Sequence, residues 1–260
     1  MADLIYLLAA LSGVLVGFSL GLVGGGGSIL AVPLMVYVVG VKSPHIAIGT
    51  SALAVAANAL AGLVNHARAS NVNWQCGGAY AAAGVIGALA GSTLGKAFDG
   101  QKLLFLFALL MIVVGALMFR GRGNEGVEGV VCNRDNFPKV AGFGFGTGVL
   151  SGFFGIGGGF LIVPGLVAST SMPIYRAIGT SLVAVSAFGL TTAANYAFSG
   201  LVDWPLAGSF IAGGVIGSVT GTAISRRLSA KKGTLNAVFA TLILIVACYM
   251  LYRSWAALAA

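Results

Sequence analysis

Charged residues are so sparse along this chain that the uncharged intervals between them define its elements. Between Asp3 and Lys42 no Asp, Glu, Lys or Arg occurs. As a single helix that interval would extend about 57 Å, well beyond a bilayer core of about 30 Å. Glycines divide it: Gly-Leu-Val-Gly-Gly-Gly-Gly-Ser at 21–28 separates apolar stretches at 4–22 and 27–40. The second stretch, about 21 Å long as a helix, is too short to cross, so it is expected to begin inside the membrane. Further spans are predicted at 46–66, 73–95 and 103–119. A charged loop at 120–139 follows, and apolar stretches recur at 140–154, 157–170, 177–198, 204–225 and 233–252.

The second series repeats the first. A shift of 131 pairs Gly13, Gly17, Gly21, Gly24, Gly26 and Gly27 with Gly144, Gly148, Gly152, Gly155, Gly157 and Gly158, and Pro33 with Pro164. After one deletion the shift becomes 130. Ala47-Ile48-Gly49-Thr50-Ser51 then meets Ala177-Ile178-Gly179-Thr180-Ser181, Asn65 meets Asn195, Trp74 meets Trp204 and Lys102 meets Lys232. Compositional bias can align glycines, but not proline, asparagine, tryptophan and lysine in one register, so the chain is read as an internal duplication.

Composition fixes the solvent. The 260 residues are 58% hydrophobic and 8% charged, against about 25% charged in soluble domains, so this is an integral membrane protein. The net charge of +8 lies in short loops and matches a positive-inside bias, not a nucleic-acid surface. With five segments per half, one face carries ten basic residues (Arg68, Arg120, Arg122, Arg134, Lys139, Arg176, Arg226, Arg227, Lys231, Lys232) and the other four (Lys42, Lys96, Lys102, Arg253). Counting each glycine-broken run as one crossing gives eight against six, so the asymmetry favours five. The expectation is an all-α polytopic membrane protein of two inverted repeats, with glycine-broken helices near the midplane. Residues 1–119 form repeat 1, 120–139 a cytoplasmic linker and 140–260 repeat 2, with both termini outside the cytoplasm. Asp3 and the lack of a basic n-region make the first run a retained helix, not a cleaved signal. Cys76, Cys132 and Cys248 follow no metal or redox spacing and are expected to be inert.

Dense glycine inside an apolar run costs about 1 kcal/mol per residue relative to alanine in a helix. In lipid, broken backbone survives only where protein or a wet cavity surrounds it. Gly24, Gly25, Gly26 and Gly27, and Gly155, Gly157, Gly158 and Gly159, are therefore expected to be helix breaks at a binding site, with new helices starting near Ser28 and Gly159. A helix N-terminus offers free N–H groups and about half a positive charge, which suits an anion. Inverted halves would aim two such ends at one point. Neither run continues as a nucleotide loop. Gly13-Gly17-Gly21 and Gly144-Gly148-Gly152, spaced by four, instead read as close helix packing.

Thr50, Ser51, Thr180 and Ser181 offer uncharged donors to the same anion, or bond back to their own helix carbonyls; the sequence leaves both roles open. Arg176 either attracts the anion or anchors the interface. Asn65 and Asn195 lie near helix ends and read as caps. All six acids lie at segment ends or in loops, so no carboxylate proton relay is evident. His45 and His66 sit at helix ends with no histidine counterpart in the other half. Trp74, Trp204 and Trp255 read as interfacial belt residues. No paired carboxylates, metal cluster or nucleophile with its base supports an intramembrane enzyme. An anion channel fits the missing proton carrier equally well.

The duplicated glycine break followed by proline, with the twin Ile-Gly-Thr-Ser blocks at 48–51 and 178–181, resembles the TauE/SafE family of sulfite and organosulfonate exporters over nearly the whole chain. The resemblance implies a multi-pass protein of the cell inner membrane. It would move a sulfur-containing oxyanion, sulfite or an organosulfonate such as sulfoacetate, by alternating access as one half rocks against the other. No cofactor, metal or nucleic acid is expected. The partners are a small anion and the bilayer, with a homodimer left open.

Overall fold

The computed structural model describes residues 2–120, 132, 136–155, 159–228, 241 and 243–253. The helices are α1 (Ala2–Val23), α2 (Ala31–Pro33), α3 (Pro44–Arg68), α4 (Trp74–Ala97), α5 (Gly100–Arg120), α6 (Phe137–Phe154), α7 (Gly159–Thr170), α8 (Ile174–Ala197), α9 (Trp204–Leu228) and α10 (Ile243–Arg253). α1, α3, α4, α8 and α9 are long and apolar enough to cross a membrane. Local chemistry fixes their starts. Ser43 caps α3 with Pro44 in its first turn, Asn73 Oδ1 accepts from Cys76 N–H at 3.1 Å to open α4, and Asp203 Oδ1 accepts from Leu206 N–H at 3.1 Å in α9.

The surface is apolar and the interior small. Leu4, Leu7, Leu11 and Leu15 form an exposed stripe along α1, and Ile86, Leu89 and Leu94 one along α4. Such stripes fit hydrocarbon and not water. The glycines spaced by four lie inside, where lipid supplies no hydrophobic drive and helices gain by close van der Waals approach. Gly13, Gly17 and Gly21 of α1 meet Phe210, Gly214 and Ser218 of α9 in ascending order, so the two helices run parallel. Gly144, Gly148 and Gly152 of α6 meet Tyr80, Gly84 and Ala88 of α4 in the same way. These are the two most extensive helix–helix interfaces, and each joins the first helix of one sequence half to the fourth of the other.

α3 and α8 form the centre: 67% and 72% of their most apolar windows is buried, against 39% for α1 and 44% for α4 and α9. They run antiparallel, Gly49 lying against Tyr196, Gly189 against Ala56 and Gly62 against Leu182. Their contacts repeat across the halves. Asp203 N–H donates to Thr50 Oγ1 at 3.0 Å, and Asn73 N–H donates to Thr180 Oγ1 at 2.9 Å. Gly49 abuts the Leu201 carbonyl, as Gly179 abuts that of Asn71. Left-handed backbone recurs at matching positions too, at Gly40 and Ser171 and at Ser70 and Gly200.

Three expectations change. The first glycine run does not stop one helix and start another at Ser28: α1 passes straight into a 3-10 helix, Gly24–Leu30, followed by α2 and a π-helical turn, Leu34–Val38. Seven residues exceed the usual three or four of a 3-10 helix, and side-chain-free glycines avoid the eclipsing that limits its length. The cysteines are not all inert, because Cys76 and Cys132 form a disulfide. Folding, not a short motif, brings these two together across 56 positions. Asn195 is no cap: its Nδ2 donates to Ser92 Oγ at 2.6 Å and its Oδ1 accepts from Lys96 Nζ at 2.8 Å, tying α8 to α4. Much of the span expected at 233–252 lies outside the described residues, as does most of the 120–139 loop.

A Cβ on Gly148 would stand 2.7 Å from Gly84 Cα, whereas one on Gly146 meets nothing within 4 Å. Thermal unfolding in detergent is therefore expected to show Gly148→Ala destabilised by about 1–3 kcal/mol. Gly146→Ala should be neutral or more stable by up to about 1 kcal/mol. Thr180→Val, which strands the Asn73 N–H, should lose about 1–3 kcal/mol in the same assay. Thr180→Ser should recover most of that loss.

Candidate functional site

The first glycine break packs on the helix that follows the second. In the first, Gly24, Gly25, Gly26 and Gly27 belong to the 3-10 helix, which folds back so that a Cβ on Gly27 would sit 2.7 Å from Ser19 Cβ of α1. Ser28 and Ile29 are completely buried. Pro33 has no N–H to donate, and beyond it the chain widens into the π turn, where Val39 N–H reaches Leu34 O at 2.9 Å. In the second, α6 ends at Gly155 with φ 67°, a left-handed cap whose N–H donates to Gly152 O at 3.2 Å. Gly157 and Gly158 lie outside the described residues. α7 then starts at Gly159, buried together with Phe160. The 3-10 helix packs directly on α7 and also touches α8 and α3. Gly155 rests against Ile48, so the second break also meets the first Ile-Gly-Thr-Ser block.

The predicted hydroxyls stand close by, in structural bonds. Thr50, Ser51, Thr180 and Ser181 are all completely buried. Ser51 Oγ donates to Ile48 O at 3.1 Å and Ser181 Oγ to Ile178 O at 2.8 Å, the back-bonding that sequence left open. Thr50 and Thr180 accept the cross-half bonds described above, and each hydroxyl keeps its proton to donate. Arg176 lies at the head of α8, half-buried, with its Nε without a partner.

Several polar side chains that sequence reasoning did not single out share this interior. Asn58, in the middle of α3, is completely buried with neither amide atom hydrogen-bonded, and it faces Gly214. Its counterpart in the second half is Phe188, which faces Gly84. Ser151 and Thr192 are also completely buried with unpartnered hydroxyls. The signal for Asn58 was available: an amide central to a charge-free span is a functional pointer in its own right.

The histidines have counterparts after all, in tyrosine. His45 lies 6.4 Å from Tyr196 at one end of the α3–α8 pair, and His66 6.2 Å from Tyr175 at the other. These are the same two sequence positions with histidine and tyrosine exchanged. Lys96 closes the first end: its Nζ donates to Asn195 O at 3.0 Å and Ser199 Oγ at 2.9 Å and lies 5.9 Å from the Tyr196 ring. Among the described residues no group of three His, Cys, Asp or Glu could hold a metal. An open groove of about 420 Å³ between α5 and α10, lined by Phe105, Leu109, Cys248, Leu251 and Tyr252, is almost wholly apolar and unsuited to an anion. The chemistry that remains is that of buried, uncharged hydroxyl and amide side chains.

The chain is 53% identical over 255 residues to a probable membrane transporter protein of Xylella fastidiosa, covering 96% of each chain. It is 25% identical over 272 residues to the probable membrane transporter protein YunE of Bacillus subtilis, covering 95% of this chain and 98% of that one. It is also 30% identical over 255 residues to the probable membrane transporter protein YjnA of the same organism, covering 90% and 95%. No solved structure matches it significantly. The family described as sulfite exporter TauE/SafE matches residues 9–250, and the chain belongs to that family of transmembrane transporters.

Proposed function

We propose that this protein is a secondary transporter that moves a small sulfur-containing oxyanion, sulfite or an organosulfonate such as sulfoacetate, across the inner membrane by alternating access. The observation that carries the reading is the packing of the 3-10 glycine run against α7 inside the protein. That packing supports a protected site where N–H groups replace an anion's hydration without a fixed charge to trap it. Gly24 to Ser28, Gly155, Gly157, Gly158, Gly159, Thr50, Ser51, Thr180 and Ser181 form the site. Arg176 supplies attraction at its rim. The two halves have opposite orientation in the membrane. The antiparallel course of α3 and its sequence counterpart α8 supports this, as does an odd number of segments in each half. The breaks then sit near the bilayer midplane. The function is transport, not catalysis.

A thermal-shift screen of the detergent-purified protein over sulfite, sulfoacetate, taurine, sulfate and thiosulfate should single out one or two of these. A site-specific ligand at 100 times its Kd stabilises by about 2.7 kcal/mol. The same anion should enter sealed proteoliposomes chemically unchanged. Gly26→Val and Gly157→Val should each abolish that uptake while inserting at wild-type level. Unimpaired flux in both variants would defeat the site. Unitary rates far above about 10³ per second would make the protein a channel, since rocking motions run on microseconds to milliseconds.

A further inference from the structure

The Cys76–Cys132 bond lies in an unexpected place. Cys76 is in the first turn of α4, whose opening loop follows Arg68, and Cys132 stands shortly before α6 in the charged interval between the halves. By basic-residue count this is the ten-residue face, the one the positive-inside rule assigns to the cytosol. Thiols there are kept reduced, and cytosolic disulfides are mostly transient, catalytic or redox-sensing. Two further contacts show that Cys132 is brought to α4 by more than the bond, and that α4's head is a junction. Gln75 Nε2 donates to the Cys132 carbonyl at 3.0 Å. Asn73, which caps the Cys76 N–H, sends its own N–H to Thr180 Oγ1 across the interface with α8.

We propose that Cys76 and Cys132 form a reversible thiol–disulfide site, closed by low-molecular-weight disulfides and reopened by thiols, which ties the α4 head to the interval between the halves when oxidised. Cys132 is the more exposed residue of the pair, at 8% against 0% for Cys76, and is taken as the first to react. Its thiolate attacks the small disulfide, forming a mixed disulfide and releasing one thiol. The Cys76 thiolate then attacks the Cys132 sulfur, forming the internal bond and releasing the second thiol, so two electrons pass from the protein to the reagent. The amide end of α4 favours negative charge at Cys76, both as it attacks and, on reduction, as it leaves. The effect on flux rests on the transport reading; the chemistry of the site does not.

The test uses the full chain with Cys248→Ser, so that only this pair reacts. Cells are acid-quenched before and after exposure to oxidised glutathione or diamide, then labelled with a maleimide–polyethylene glycol. Two added masses before oxidation and none after are expected, with dithiothreitol restoring both. Masking in unstressed cells until reductant is added would overturn the proposal and make the bond a permanent bridge on an oxidising face. Labelling under every condition would overturn it as well. In purified protein the oxidised form should unfold several degrees higher than the reduced form, and Cys76→Ser should remove that difference; equal transitions would count against the restraint. In proteoliposomes, flux of the anion found by the thermal-shift screen should be at least threefold slower oxidised than reduced in this background, and indifferent to redox state in Cys76→Ser. Equal flux in both states would refute control of transport. Absence of any flux would instead count against the transport reading, with labelling and unfolding still deciding the redox site.

Discussion

Hydrocarbon offers nothing to a peptide group, and the architecture follows from that constraint. Each N–H and C=O left free by an interrupted helix must find its partner inside the protein. The chain contains two interruptions, and both are driven inward: the 3-10 run onto α7, and the Gly155 cap onto Ile48. Long helices with leucine-rich outer faces then form the wall that keeps lipid away. A soluble protein would put leucine at the centre and glycine in its turns. Here α1 shows leucine to the outside and glycine to its neighbour.

Reciprocity holds the centre together. The Gly-Thr blocks of α3 and α8 each receive a backbone from the opposite half, glycine making room for a carbonyl and threonine accepting an N–H. One residue type supplies space and the next supplies polarity, so the loop before α4 and the loop before α9 are each tied to the opposite half. The symmetry is incomplete where chemistry differs. Asn58 stands opposite Gly214 where Phe188 stands opposite Gly84, and histidine trades places with tyrosine at the two ends of the central pair.

Much of this was readable in advance. The lack of charges marked the spans to within a few residues, and the repeated proline, tryptophan and Ile-Gly-Thr-Ser positions revealed the duplication. Glycines spaced by four lie at helix seams, as their spacing implied. What sequence withheld was tertiary. Thr50 and Thr180 look like any helix hydroxyls until Asp203 and Asn73 are brought to them from about 150 and 110 positions away along the chain. The 3-10 course of Gly24–Leu30 could not be told from an open break, because glycine tolerates both. Cys76 and Cys132 carried no motif, since a bond between distant residues needs only a fold to join them. Asn58 was legible and was missed, its lone amide hidden among alanines.

The pairing of α1 with α9 and of α6 with α4 bears on what can move as a body. Each seam sets glycine against backbone at three successive helix turns. Pulling residues 1–119 away from 140–260 would tear open both seams at once. Each seam joins a helix of one sequence half to a helix of the other, so the packing is continuous across the middle of the chain.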